Sequence, residues 1–259
     1  MKLIDLSITI ENEVPSDPQE MIPVINYLDH EKSVPDMLRF FETAKKEDLP
    51  NGLAWAMESV QLTTHTGTHM DAPYHYHPTM DNGQPAWTIE EVPLDWCYGE
   101  GVMLDFSDKP NGYQLTITDF QHALKNINYT LKEKDIVLIQ TGAAPFWGTP
   151  NYLISGCGVG REATLWLLEQ GICLVGTDAW SWDRPLPFIA EEFKQTRNPS
   201  IIWEGHFAGI EKKYCHIEKL TNLDQLPSTG FKLSCFPTKI KKASAGWTRV
   251  VAIMEENQC

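Results

Sequence analysis

The chain is poor in positive charge and has no long hydrophobic run. Its 21 Lys and Arg are outnumbered by 35 Asp and Glu, giving a formal charge of −14 over 259 residues. That balance repels phosphate backbones and anionic headgroups, and argues against nucleic acid or an anionic membrane as partner. The one basic cluster, Lys239-Ile240-Lys241-Lys242, is too short to reverse it and reads as the edge of a strand. No apolar stretch approaches the roughly 20 residues that span a bilayer. The start, Met1-Lys2-Leu3-Ile4-Asp5, does not open a signal-peptide hydrophobic segment, so a cytoplasmic protein is expected. There is no CxxC pair. The cysteines Cys97, Cys157, Cys173, Cys215, Cys235 and Cys259 read as reduced thiols, several of them buried. Neither GxxxxGK(S/T) nor GxGxxG occurs, which disfavours a nucleotide enzyme. Gly156-Cys157-Gly158-Val159-Gly160 precedes a helix and could face an anion, but a bare turn is the reading adopted. Cys157 has no base nearby in sequence and is read as structural.

What is present is enough for a substantial core, with 42% hydrophobic residues. Internal repeats, low-complexity tracts and Gly/Ser linkers are lacking, so one domain over 1–259 is expected. Residues 3–10 alternate apolar and polar and predict a strand. Residues 12–57 read as irregular, with Pro15, Pro18, Pro23, Pro35 and Pro50 scattered through them and a short helix near 36–46. Such a segment serves as a lid or an oligomer contact. Further strands are predicted at 60–64, 101–106, 136–140, 173–176, 231–236 and 248–254. Helices are predicted at 119–131, capped by Thr118, and at 161–170, ended by Gly171. The strand–helix–strand–helix–strand order through the middle predicts an α/β fold with parallel pairing.

The most informative stretch is His65-Thr66-Gly67-Thr68-His69-Met70-Asp71-Ala72-Pro73-Tyr74-His75-Tyr76-His77. Every candidate ligand in it has an odd number. An extended backbone would project His65, His69, Asp71, His75 and His77 to one side. Gly67 would leave that face open to an ion or water. A helix would also bring His65 and His69 together, but Gly67, Pro73 and the β-branched Thr64, Thr66 and Thr68 disfavour one. Two imidazoles and a carboxylate make an open site for Zn²⁺ or Mn²⁺. His77, just before Pro78, is assigned a supporting or surface role.

Three ligands from one short tract rarely complete a site. His206 and Glu218, twelve positions apart, are candidates for the rest, in competition with His30, His122 and His216. His122 falls on an exposed helix face and His30 in the irregular segment. Spacing alone does not choose between His206 and His216.

HTGTHMDAPYH at 65–75 resembles the HxGTHxDxPxH signature of the cyclase-type metal-dependent hydrolases, the family of bacterial kynurenine formamidase and isatin hydrolase. Three later segments are similar to the family as well: VGTDAWSWD at 175–183, the His206…Glu218 spacing, and FPTKIKKASAGWTRVVAI at 236–253, which resembles its C-terminal strand pair. The resemblance implies a swivelling β/β/α domain in a homo-oligomer, dimeric or larger. It implies metal binding by His65, His69, Asp71, His206 and Glu218, with the two carboxylates bridging where two ions are bound. His75 would be the catalytic base or acid. One Mn²⁺ or two Zn²⁺ are the implied cofactors, and hydrolysis of an amide carbonyl–nitrogen bond the implied activity. The segment 12–57 and the stretch 76–98 are longer than in the short formamidases, and tilt the expectation towards isatin hydrolase.

That chemistry suits the residues. A bound divalent ion polarises a carbonyl and lowers the pKa of its water from 15.7 to about 7. An imidazole with a reference pKa of about 6.5 shuttles the proton. Trp55, Tyr74, Trp87, Trp180 and Trp182 could wall a pocket for a flat aromatic amide, although core packing is the commoner fate of each. Two alternatives use the same ligands: a lactone hydrolase or dehydratase, and a non-catalytic metal-binding protein. The latter would need no His75 and no exchangeable water.

Overall fold

The computed structural model describes residues 1–255; Cys259 lies outside them. Nine strands form one curled sheet. In chain order they are β1 (Lys2–Asp5), β2 (His69–Asp71), β3 (Tyr98–Asp105), β4 (Ile136–Gln140), β5 (Leu174–Thr177), β6 (Cys215–Glu218), β7 (Phe231–Ser234), β8 (Ala245–Trp247) and β9 (Val251–Met254). Their order across the sheet is β1-β9-β7-β3-β4-β5-β6-β2-β8. The predicted parallel pairing holds at its centre, where β3, β4, β5 and β6 run in one direction. The helices α1 (Ile117–Asn126), α2 (Arg161–Glu169) and α3 (Leu186–Thr196) follow β3, β4 and β5 in turn.

The central strands are apolar on both faces because both faces are covered. Ile136, Leu138 and Leu174 enter one core with Ile4, Leu6, Met70, Ile217 and Leu233. Their alternates Val137, Ile139 and Val175 enter a second core with Phe120, Leu124, Ala163, Leu167 and Leu168 of the helices. The period-two alternation of a strand thus divides one short sequence, IVLIQ, between two cores.

Several boundaries differ from expectation. α1 begins two residues earlier than predicted. Thr116, not Thr118, is its cap: its hydroxyl accepts from Asp119 N at 3.3 Å, while the Asp119 carboxylate accepts from Thr116 N at 2.9 Å. This capping box fixes the start, and Asn128 at φ 51° marks the end. The predicted strand at 60–64 lies instead at Met57–Gln61, paired with Val24–Leu28 inside the segment read as irregular. The helix there is shorter, Val34–Leu38. Gly158–Val159 is a short parallel strand against Gln114–Leu115 rather than a bare turn. The two C-terminal strands do not pair with one another: β8 joins β2 at one end of the sheet, and β9 lies between β1 and β7 at the other. β1 stops at Asp5 because the chain then crosses over, with Ile8 N donating to Thr68 Oγ1 at 3.0 Å. Lys239–Lys242 lie in the loop leading to the edge strand β8.

The capping box provides a stability test. Burial raises the Asp119 carboxyl, but hydrogen bonds from Thr116, Lys109 and Tyr113 outweigh it and bring the pKa from 3.8 down to about 2. A depressed folded value means the contribution is complete above about pH 4 and is lost as pH falls through 2. Asp119→Ala should lower stability at pH 7 by about 1 kcal/mol, a melting shift of roughly 2–4 °C. Thermal denaturation at pH 7 and pH 2.5 checks it: the difference from wild type should shrink at the lower pH.

Candidate metal centre

The register between β2 and β6 builds the site. His69 lies opposite Glu218, Met70 opposite Ile217, and Asp71 opposite His216. Alternation sends Met70 and Ile217 into the core and leaves His69, Asp71, His216 and Glu218 on the other face. The flanking residues arrive differently from prediction. Residues 65–77 are not one extended run. Gly67, at φ 68°, turns the chain between His65 and β2, a conformation glycine adopts without penalty. Pro73 then opens a helical turn, Pro73–Tyr76, in the position where a missing N–H costs nothing. The turn, the short strand and the helical turn still bring His65, His69, Asp71 and His75 together. His77 leaves the cluster and bonds Thr79 Oγ1 at 2.8 Å.

Asp71 is the hub. Its Oδ1 stands 2.9 Å from His65 Nδ1 and 3.3 Å from His69 Nε2. Its Oδ2 stands 2.9 Å from His216 Nε2 and 3.7 Å from His75 Nε2. Glu218 reaches His69 Nε2 at 3.6 Å, His206 Nε2 at 3.6 Å and His216 Nε2 at 3.1 Å. The predicted ligands His65, His69, Asp71, His206 and Glu218 therefore converge, as does His75. His216, left open by sequence spacing, joins them. His30 does not; it is exposed and bonded to Ala54 O. His122 lies exposed on α1.

Neighbouring groups aim the rings inward. His69 Nδ1 bonds the Gly67 carbonyl at 2.8 Å. His206 Nδ1 bonds Asp183 Oδ2 at 2.5 Å, and Asp183 also accepts from Gly205 N and His206 N. Each bond places the N–H outward and leaves Nε2 facing the cluster, the arrangement metal-binding histidines use. Asp183 was not picked out from sequence; burial pushes its carboxyl up to about 7.

The residues fit a divalent cation. Asp71 Oδ1 is buried and has no hydrogen-bond partner, despite two imidazole nitrogens within 3.3 Å. Atoms bound about 2.0–2.2 Å from a common ion stand roughly 2.8–3.6 Å apart, and these do. Burial raises the Asp71 carboxyl, yet the neighbouring His75, His69 and His65, with the His216 hydrogen bond, hold it well below the usual range. Glu218, raised by burial and lowered more by His216, sits at about 2. Two buried carboxylates ionised among imidazoles are a ready-made cation site.

A cavity of about 230 Å³ opens onto this cluster, lined by Met21, His65, His69, His75, Trp180, Ser181, Leu186, Trp203, His206, Glu218 and Lys219. Of the aromatic residues named from sequence, only Trp180 lines it. Trp182 is fully buried, Trp87 packs on Trp96, Trp55 meets Phe40, and Tyr74 is exposed. Trp203, not anticipated, stacks on His206 with centroids 4.0 Å apart and takes φ 52°, a costly conformation for a bulky residue. The long N-terminal segment supplies part of the wall. Asp17 is held by the buried Lys219 ammonium and by Trp180 Nε1 at 2.7 Å, which brings Met21 to the cavity. Cys157 takes no part: it is buried and its thiol is pushed up to about 12. Among the described residues no helix is long and apolar enough to cross a membrane.

A curled α/β sheet bearing histidines and two carboxylates on one buried face, under an open cavity, makes a candidate histidine–carboxylate metal centre. The sequence profile described as putative cyclase matches residues 4–184, and the chain belongs to that family. It is 27% identical to the kynurenine formamidase of Erythrobacter litoralis over 191 residues, 73% of either chain. Its fold is similar to that of isatin hydrolase A from Labrenzia aggregata bound to benzyl benzoate, with a TM-score of 0.73, 24% identity, and coverage of 98% of this chain and 94% of that one. It is also similar to an isatin hydrolase bound to the product analogue thioisatinate, with a TM-score of 0.75, 17% identity, and coverage of 98% and 93%.

Proposed function

We propose that this protein is a metal-dependent hydrolase of a non-peptide carbonyl–nitrogen bond beside an aromatic ring, either an N-formyl arylamine or a cyclic aryl amide. The observation that carries the reading is the convergence of His65, His69, Asp71, His206 and Glu218 beneath an open cavity with His75 at its edge. The kynurenine formamidase relative supports the amide. The cavity also favours an enzyme over a closed metal store.

His65, His69, Asp71, His206 and Glu218 hold the cation, Zn²⁺ or Mn²⁺ by the character of the donors. When bound, that ion supplies Lewis acidity for the carbonyl and acidifies water at neutral pH. His75 is the proton carrier. Burial, opposed by Asp71 and reinforced by His65, pushes its pKa down to about 4. Its ring is therefore neutral at physiological pH and accepts a proton from attacking water, then returns it to the departing nitrogen. Asp71 Oδ2, 3.7 Å from His75 Nε2, steadies the imidazolium that forms between those steps. Trp180, Trp203, Leu186 and Met21 exclude water around the ring of the substrate.

Chelated, metal-free protein should lose all measurable hydrolysis and recover it with Zn²⁺ or Mn²⁺. Assays against N-formylkynurenine, isatin and simple lactones separate the substrates. Deformylation releases two products, and opening isatin leaves one. Efficient opening of aliphatic lactones with no amide cleavage would replace the amide assignment and leave the hydrolase standing. The exposed Tyr27, Met57 and Val60 of the Val24–Leu28/Met57–Gln61 ladder, with Phe40 and Phe41, support a homo-oligomer. Light scattering should give at least a dimer mass.

A further inference from the structure

The ligand atoms fall into two equal sets that share both carboxylates. His65 Nδ1 and His69 Nε2 lie 3.3 Å apart. Asp71 Oδ1 is within 2.9 and 3.3 Å of them, and Glu218 Oε2 is 3.6 Å from His69 Nε2. The other oxygens face the opposite way. Asp71 Oδ2 is 2.9 Å and Glu218 Oε1 is 3.1 Å from His216 Nε2, and Glu218 Oε1 is 3.6 Å from His206 Nε2. One atom each from Asp71, His206, His216 and Glu218 lies within 4.8 Å of the rest, and all four residues are buried. Each set therefore holds two imidazole nitrogens and one oxygen from either carboxylate.

His216 is oriented for this. It sits mid-strand in β6, directly across from Asp71, on the same face as Glu218. Its Nδ1 lies 3.2 Å from the Tyr76 hydroxyl, which in turn lies 3.4 Å from the Asp71 carbonyl. With Nδ1–H donating to Tyr76 and Tyr76 donating to that carbonyl, the Nε2 lone pair faces the second set. His206, held by Asp183, presents its own Nε2 likewise. His216 is absent from the cavity lining, so its imidazole does not meet substrate.

We propose that His216 is a metal ligand, completing a second cation position with Asp71, His206 and Glu218. Both positions have four protein ligands, but the second is buried, with Asp71 and His216 away from the cavity, while His65 and His69 line it, so that the first position can exchange with solvent. The centre therefore holds two ions of unequal lability. This rests on the metal-hydrolase reading above and assigns a residue that reading does not use.

The test is metal stoichiometry in the full-length protein, read by elemental analysis and by the visible spectrum of Co²⁺-loaded samples. Wild type should bind two ions per chain, and chelator should remove one well before the other. His216→Leu should bind one ion and lose the slowly released one. His216→Gln keeps a hydrogen-bond donor to Asp71 but no imidazole, and it should behave as His216→Leu does. Tyr76→Phe removes the partner of Nδ1 and should weaken the second ion about 10–100-fold; it serves if His216→Leu fails to give a native circular dichroism spectrum. A single ion in wild type, or two ions restored in His216→Gln, overturns the assignment of His216 even if hydrolysis persists. No ion at all, with hydrolysis intact after chelation, defeats the metal-hydrolase reading itself.

Discussion

Asp71→Ala is expected to abolish hydrolysis and strip the protein of metal. Asp71 gives one oxygen towards His65 and His69 and the other towards His216 and His75. Removing it deletes one of the two carboxylates that both halves of the cluster share. Loss of a supporting outer partner costs roughly 10–100-fold in metal affinity. Loss of a buried anionic ligand should exceed about 100-fold and leave the isolated protein without its ion. The imidazoles left behind repel a cation less well compensated than before. The folded state should survive, because Asp71 makes no contribution to the apolar core and its main chain keeps its β6 and β8 ladders. Elemental analysis beside near-ultraviolet circular dichroism checks both halves. A variant that keeps its ion and its rate would remove Asp71 from the centre.

The second large effect belongs to His75 and should dissociate rate from metal. His75 stands 3.7 Å from Asp71 Oδ2, farther than the nitrogens of His65 and His216 stand from the same carboxylate. Its ring packs at 4.0 Å on His65 and at 5.1 Å on Trp203, at the cavity edge. That geometry suits a group that moves protons rather than one that binds the ion. His75→Ala should retain its full metal content and lose on the order of 10²–10⁴ in kcat, the range of general acid–base catalysis. Metal lost together with the rate would instead make His75 a ligand. An unchanged kcat would leave it no role in the chemistry.

The sequence made the chemistry more legible than the path of the chain. The odd-numbered spacing of His65, His69, Asp71 and His75 pointed to one cluster, and one cluster exists. The extended backbone inferred from that spacing does not, because Gly67 and Pro73 act as turn and helix-start residues in the positions they occupy. Central strands such as Ile136–Gln140 were legible to the residue, since burial on both faces leaves an unbroken apolar run. Short strands were not. Ala245–Trp247 has three residues, too few for alternation to show. His216 carried a readable sign in His216-Ile217-Glu218, where period two places His and Glu on one face, but only a strand at that position turns the sign into geometry. Trp203 left no sign at all: its place over His206 depends on a left-handed residue between two short helical turns.

One feature of the sheet bears on how the protein is made. β2 is paired on both sides by strands from the far end of the chain, and 145 positions separate Asp71 from His216. At 5–20 residues per second, translation needs roughly 7–30 s to cross that gap. For most of that interval the growing polypeptide carries His65, His69 and Asp71 with neither His206 nor Glu218 yet made. An ion met then would find only half of the donor set. On the metal-hydrolase reading proposed above, tight capture waits for β6 to dock beside β2, and the finished protein rather than the nascent one takes up the ion. On the same reading, a stop between Asp178 and Tyr214 would yield a chain with three of the four parallel strands but without the Glu218 carboxylate that the centre needs.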